Sequence, residues 1–286
     1  MTLGHILIRL VRWEYYLRGL GVSADARTST LVFLTGLSMI MVPGRVGELA
    51  KSYFLKQKLN TAVRLSAPVI ITERIGDVIS VLLLGLWGLV FIPFGWTLIA
   101  ITLAGIGAFL LLLASPRGVS LLVRVPLLRR WEPFLSDSGR ALRTLFSLKV
   151  TIVGSLLGCL AWFILGFAFW IVLEGLGTGV SVPTAVSIFC ATTLLGSITM
   201  LPGGLVTTEG SMLVLLQRVG LGSTVALAAI LIIRVCTLWF AVLIGLAALL
   251  YLQKHQPAEA RIPSSGTNHL PATRVLESEV VGDNSD

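Results

Sequence analysis

The chain has 286 residues, of which 55% are hydrophobic and 13% charged, and a formal net charge of +8 at neutral pH. A mean hydropathy of +0.92 excludes an ordinary soluble domain, and Val78 to Pro116 holds no charged residue, enough for two membrane spans of about 20 residues each. The positive balance fits cytoplasmic loops that face anionic headgroups, so nucleic acid is not an expected partner.

The opening Leu3–Leu20 is apolar but interrupted by Arg9, Arg12, Glu14 and Arg18, which suits an interfacial helix and shows no cleavable signal pattern. The uncharged stretch Thr28–Gly44 lies between two basic regions. At about 1.5 Å per residue it reaches about 25 Å, short of a hydrocarbon core of about 30 Å. It is expected to dip in from the cytoplasm, turn at Pro43-Gly44 and return as the amphipathic stretch 46–60. Leu65–Ile92 then crosses outward and Trp96–Ala114 inward. The linker from Ser115 to Lys149 carries seven basic residues against Glu132 and Asp137, so it belongs in the cytoplasm. Within it Arg124, Arg129, Arg130, Arg140 and Arg143 alternate with Leu, Trp131 and Phe134, the pattern of an amphipathic surface helix.

Val150–Leu173 crosses outward, leaving Glu174–Pro183 outside. Thr184–Met200 is again short and is followed by Pro202-Gly203-Gly204, so it is expected to dip in from the outside and return along Ser211–Val219. Leu221–Leu252 crosses inward, and the tail is rich in Ser, Pro, Gly, Asn and acids, as in disordered segments. The resulting fold class is an all-α polytopic membrane protein, an inverted-topology repeat with two re-entrant helical hairpins and about four full transmembrane helices. Its parts are an interfacial helix (1–27), a first membrane repeat (28–114), the basic linker (115–149), a second repeat (150–252) and a cytoplasmic tail (253–286). A parallel repeat stays open if one short segment spans.

One glycine-proline motif occurs twice: Met41-Val-Pro-Gly-Arg-Val-Gly-Glu48 and Met200-Leu-Pro-Gly-Gly-Leu-Val-Thr-Thr-Glu209. Arg74 follows Pro43 by 31 residues and Arg234 follows Pro202 by 32. Irregular backbone at membrane depth is tolerated where protein or a watery cavity surrounds it, and a helix starting there offers its amides to an anion. The bland reading of a single such motif is a tight turn that lets helices pack; two copies with matched arginines favour a site. Glu73, Arg74 and Asp77 open a long span, and the two carboxylates share a helical face that needs a cation, from Arg45 or Arg74. Arg234 is the sole charge between Arg218 and Lys254, and an intramembrane arginine needs a partner, a cavity or a ligand; Glu209 is the nearest candidate. The candidate substrate-binding set is therefore Pro43, Gly44, Arg45, Gly47, Glu48, Glu73, Arg74, Asp77, Pro202, Gly203, Gly204, Glu209 and Arg234. Cys159, Cys190 and Cys236 lack metal-ligand spacing and the histidines are scattered, so neither metal nor cofactor is expected.

With these residues in hand, the chain resembles the transmembrane flippase-like domain of lysylphosphatidylglycerol synthases and its stand-alone relatives. The matching signatures are Arg12-Trp13, Pro43-Gly44-Arg45-Val46-Gly47-Glu48, Glu73-Arg74-Ile75-Gly76-Asp77, and Leu201-Pro202-Gly203-Gly204 with Glu209, and the likeness runs from about residue 5 to 252. The resemblance implies a multi-pass protein of the bacterial or archaeal cytoplasmic membrane that moves a lipid between leaflets. In the bifunctional synthases that lipid is aminoacylated phosphatidylglycerol, made by an attached transferase domain; lysyl transfer is not carried over here. Members usually have a further apolar helix before the Arg-Trp region. Most also keep a Gly-Val-Glu type sequence where this chain has Leu205-Val206-Thr207-Thr208, which weakens the role of Glu209 relative to Glu48.

The leading expectation is a flippase or transporter of a phospholipid or lipid-linked precursor, with an anionic or aminoacylated headgroup received at the two motifs. The alternative is a non-transporting scaffold for a cytoplasmic lipid synthase or glycosyltransferase. A membrane enzyme ranks lower, because no Ser/His set, metal cluster or acid–base pair stands out. No phosphate-cradling nucleotide loop occurs, so transport is expected to be gradient-driven or unpowered.

Overall fold

The computed structural model describes residues 1–22, 25–41, 51–52, 54–56, 63–88, 100, 104–105, 144–145, 147–199 and 201–254. All regular structure among them is helical, as hydrocarbon demands of a chain that must pair its backbone within each segment. Residues 42–48 of the first glycine-proline motif, all but residues 100, 104 and 105 of the span expected over Trp96–Ala114, most of the basic linker and the tail lie outside the described residues.

α1 (Thr2–Gly19) buries Ile6, Arg9, Trp13, Tyr16 and Leu17 at three- and four-residue spacing and exposes Leu3, Leu7 and Val11 on its other side. Arg9 and Arg12, which suggested an interfacial helix, point into the helix bundle, whereas Arg18 stays exposed. α2 (Ala26–Ser38) starts at Asp25, whose carboxylate accepts from the Thr28 amide, and runs into a 3-10 turn at Met39–Met41. α3 (Val63–Trp87) has 25 residues, a rise of about 37 Å.

α4 (Leu148–Gly175) is followed by α5 (Val182–Ile198), α6 (Thr207–Arg218) and α7 (Ser223–Arg234). α7 continues through a π turn at Val235–Trp239 into α8 (Phe240–Lys254). Two of these stretches, Lys149–Gly175 and Ser223–Lys254, are long and apolar enough to cross a bilayer.

Among the described residues the apolar side chains gather in two larger cores and a smaller cluster around Val81, Val186 and Cys190. One joins α1, α2, α3 and α8 through Trp13, Leu17, Phe33, Val69 and Leu252. The other joins α4 to α7 through Phe169, Phe189, Met212, Leu216 and Ile230. Helices in lipid gain little from hiding apolar surface from one another, so close backbone approach carries more of the packing. Here α2 lies so near α8 that a Cβ on Gly245 would run into the backbone nitrogen of Ser38. A Cβ on Gly166 of α4 would sit 3.1 Å from the Val186 Cα of α5.

Candidate functional site

α3 carries Glu73 and Asp77 one turn apart, and α1 carries Arg9 and Arg12 opposite them. Arg9 Nη2 donates to Glu73 Oε1 at 2.9 Å and lies 3.5 Å from Asp77 Oδ2. Arg12 Nη2 donates to Asp77 Oδ1 at 2.6 Å and lies 3.6 Å from Glu73 Oε1. Lys51 Nζ reaches Glu73 Oε2 at 3.3 Å and sits over the rings of Trp13 and Phe33, at 5.1 and 4.6 Å from their centres. Arg74 Nη1 donates to Asp77 Oδ2 at 3.2 Å, and the Trp162 indole of α4 donates to Oδ1 at 3.2 Å.

The side chains of Arg12 and Glu73 are 0% exposed. Moving such charges out of water costs several kcal/mol per ion unless partners surround them, and here each carboxylate has at least three. Glycine makes the room: a Cβ on Gly158 of α4 would sit 2.8 Å from Arg12 Nη1.

The second half supplies a simpler arrangement. After α5 the chain turns through Pro202, Gly203 and Gly204, and both glycines adopt left-handed backbone, with φ of 59° and 68°. A Cβ on Gly203 would sit 3.1 Å from Met41 Sδ and 3.3 Å from Leu238 Cδ2, so this turn rests between the end of α2 and the π turn. Val206, at φ 70°, is a β-branched residue in the same left-handed region, a strained connection into α6.

No side chain caps α6, and Glu209 occupies its first turn, where the helix dipole favours a carboxylate. Arg234 Nε lies 2.6 Å from Glu209 Oε1. The contact is an ion pair without an aligned hydrogen bond: Nε and Nη2 of Arg234 and Oε2 of Glu209 are buried and have no hydrogen-bond partner among the described residues. Immediately after Arg234 the helix widens into the π turn, a distortion often found at functional sites. Thr2 Oγ1 of α1 donates to the Cys236 carbonyl at 2.6 Å and ties the two elements together.

Both arrangements open onto one cavity of about 200 Å3. Its polar wall includes Arg9, Arg74, Asp77, Trp162, Thr208 and Arg234, and Gly203 and Gly204 form part of its floor. Helices from both cores therefore face the same space.

The sequence model described as the lysylphosphatidylglycerol synthase TM region matches residues 1–245. The chain belongs to that family. It is also 28% identical over 124 residues to a UPF0104 membrane protein of Methanothermobacter thermautotrophicus, a match that covers 43% of this chain and 37% of that relative. No solved structure matches. The family match and the apolar helices together make this a membrane protein.

Of the residues nominated from sequence, Arg74, Asp77, Gly203, Gly204 and Arg234 line the cavity. Glu73 does not; it holds Arg9, which does. Glu209 stands behind Arg234, and Pro202 begins the turn. Pro43, Gly44, Arg45, Gly47 and Glu48 lie outside the described residues. Sequence reasoning missed Arg9, Lys51 and Trp162 as parts of the site, and noticed Arg12 only within the Arg-Trp signature. The available signal was the three-residue spacing of Arg9 and Arg12 inside the most apolar part of the helix, which places both on one face.

Proposed function

We propose that the protein moves a phospholipid or lipid-linked precursor between the leaflets of a bacterial or archaeal cytoplasmic membrane. The headgroup enters the cavity, where Arg74, Arg9 and Arg234 receive its anionic part, while the lipid tails stay in the bilayer. The observation that carries this reading is the shared cavity: charged residues of α1 and α3 face the Pro202–Gly204 turn and Arg234 across one space. A polar pocket inside an apolar bundle gives a headgroup a route past the hydrocarbon.

In this reading α5 and α6 form a re-entrant hairpin entering from outside, mirrored by a first hairpin turning at Pro43-Gly44 and entering from the cytoplasm. Their lengths of 17 and 12 residues support it, because about 25 and 18 Å fall short of a core of about 30 Å. The contact of Gly203 with Met41 also supports it, since it brings the second turn against the segment that leads into the first motif. The chain carries lipid and does not alter it.

Reconstitution in liposomes with headgroup-labelled lipids tests the proposal. Leaflet exchange of chemically unchanged lipid is expected, with loss of about tenfold or more in both Arg74→Gln and Arg234→Gln if each contributes a charge-assisted contact. Chemical conversion of the lipid would make it an enzyme. No exchange by the wild-type protein, with neither variant altering its cellular phenotype, would favour a scaffold for a cytoplasmic synthase or glycosyltransferase.

A further inference from the structure

Several neutral polar side chains on the cavity wall already have a partner inside the bundle. The hydroxyls of Thr2, Thr193 and Thr237 donate to the carbonyls of Cys236, Phe189 and Ile233 at 2.6, 2.7 and 2.6 Å, and the Trp162 indole donates to Asp77. His5 of α1 and Thr208 of α6 differ. Both line the cavity, yet they are only 7% and 4% exposed, so bulk water does not satisfy them.

The His5 ring is engaged through one nitrogen. Its Nδ1 lies 2.9 Å from the Ala161 carbonyl of α4, and a carbonyl only accepts, so Nδ1 carries the hydrogen. The Trp162 ring packs against it edge to face, with centroids 5.6 Å apart. Burial, and Arg9 four residues on along the same face, disfavour a charge on the ring. Nε2 is then a lone-pair acceptor, and it has no hydrogen-bond partner among the described residues. The Thr208 hydroxyl has none either. It stands where glycines leave it room, since a Cβ on Gly204 would sit 2.8 Å from Oγ1. Buried polar groups are nearly always paired, so two open ones on a cavity wall point to a ligand.

From these two groups we infer that His5 is a headgroup-binding residue that reads a hydroxyl. The hydroxyl donates to His5 Nε2, and Thr208 Oγ1 donates to its oxygen or to that of a neighbouring hydroxyl. The inference rests on the lipid-headgroup reading above and names the class of head: a phosphodiester whose alcohol keeps free hydroxyls. The arginines hold the phosphate, and a phosphodiester has no proton to give at neutral pH, so the alcohol must supply the donor. An ammonium also donates to His5, but it has no lone pair with which to accept from Thr208.

The test is equilibrium binding at pH 7.5 by the full-length protein in phosphatidylcholine nanodiscs. The probes are short-chain phosphatidylglycerol, phosphatidylpropanol, phosphatidylethanolamine and free glycerol phosphate. Phosphatidylpropanol keeps the charge and the carbon skeleton of the glycerol head and lacks its hydroxyls. It is expected to bind about tenfold weaker than phosphatidylglycerol, because it leaves a buried acceptor unpaired. His5→Asn places an amide N–H at the level of Nδ1, where it still meets the Ala161 carbonyl, and deletes the acceptor at the ε position. In that variant the two lipids should bind within about twofold of each other, the loss falling on phosphatidylglycerol alone. His5→Gln, whose amide reaches the ε position, should recover part of the preference.

Equal binding of phosphatidylglycerol and phosphatidylpropanol by the wild-type protein would mean that water satisfies His5, and would overturn the inference. A preference that survives intact in His5→Asn, or tighter binding of phosphatidylethanolamine than of phosphatidylglycerol, would also overturn it. Free glycerol phosphate matching phosphatidylglycerol would make the ligand a soluble polyol phosphate and reject the lipid head. The wild-type panel needs no variant to fold. Selective binding without leaflet exchange would leave the inference standing and reject transport; exchange without hydroxyl preference would do the reverse.

Discussion

Glu73 in the first half is met by Arg9, Arg12 and Lys51 and has no exposed side-chain surface. Glu209 in the second half meets Arg234 alone among the described residues, and the two side chains keep 27% and 17% of their surface exposed. Neither carboxylate lines the cavity, and each holds an arginine that does, yet the two are held very differently. A carboxylate gripped by three cations cannot leave without stranding them, so it fixes the position of its arginines. A carboxylate with a single, poorly aligned partner can give that partner up. Under the proposed function the first site is a rigid receiver, and the second is the part that exchanges its partner for a ligand.

Removing the charge of Glu73 is the severest way to probe this contrast. Glu73→Gln should lower stability by about 3–5 kcal/mol, because three buried cations lose a shared counter-ion. Detergent-resistance or denaturant unfolding measures the loss, and a change below about 1 kcal/mol would show the first site to be as loosely held as the second. The second site should behave differently. Arg234→Gln is expected to cost about 1 kcal/mol or less, discounted for partial exposure, while leaflet exchange collapses. The double swap Arg234→Glu with Glu209→Arg should restore the fold to near wild-type stability without restoring exchange, since the cation then projects from a different helix. At the small end, Arg18→Ala should shift stability by less than about 0.5 kcal/mol: its contact with Glu14 is 3.9 Å long and the Arg18 side chain is 79% exposed. A larger effect there would mean that α1 meets a surface absent from the contacts described above.

Much of the second half was legible in the sequence because its determinants are local. The apolar run after Val150 became α4, and Pro202-Gly203-Gly204 became a turn with two left-handed glycines. Arg234 was isolated in apolar sequence with one acidic candidate nearby, and it meets that candidate. The first-half cluster was only partly legible. Glu73 and Asp77 advertised a need for cations, but Arg9 and Arg12 come from a helix more than 60 residues away. Their approach depends on tertiary packing, with Gly154 and Gly158 of α4 leaving space for Tyr16 and Arg12. Periodicity within one segment cannot report that. The π turn at Val235–Trp239 was not visible either, since those residues suit an ordinary α-helix; in the folded chain its Cys236 carbonyl accepts from Thr2 of α1.

The account depends on a headgroup reaching both sites at once, and photo-cross-linking tests this most directly. A lipid bearing a diazirine beside its phosphate is activated in membranes containing the full-length protein, and the labelled peptides are mapped. Adducts are expected both on the segments carrying Arg9 and Arg74 and on the segment from Leu201 to Glu209. Labelling confined to outward apolar positions such as Leu7, Leu160 and Leu243, which are exposed on the bundle surface, would contradict a headgroup site between the two halves.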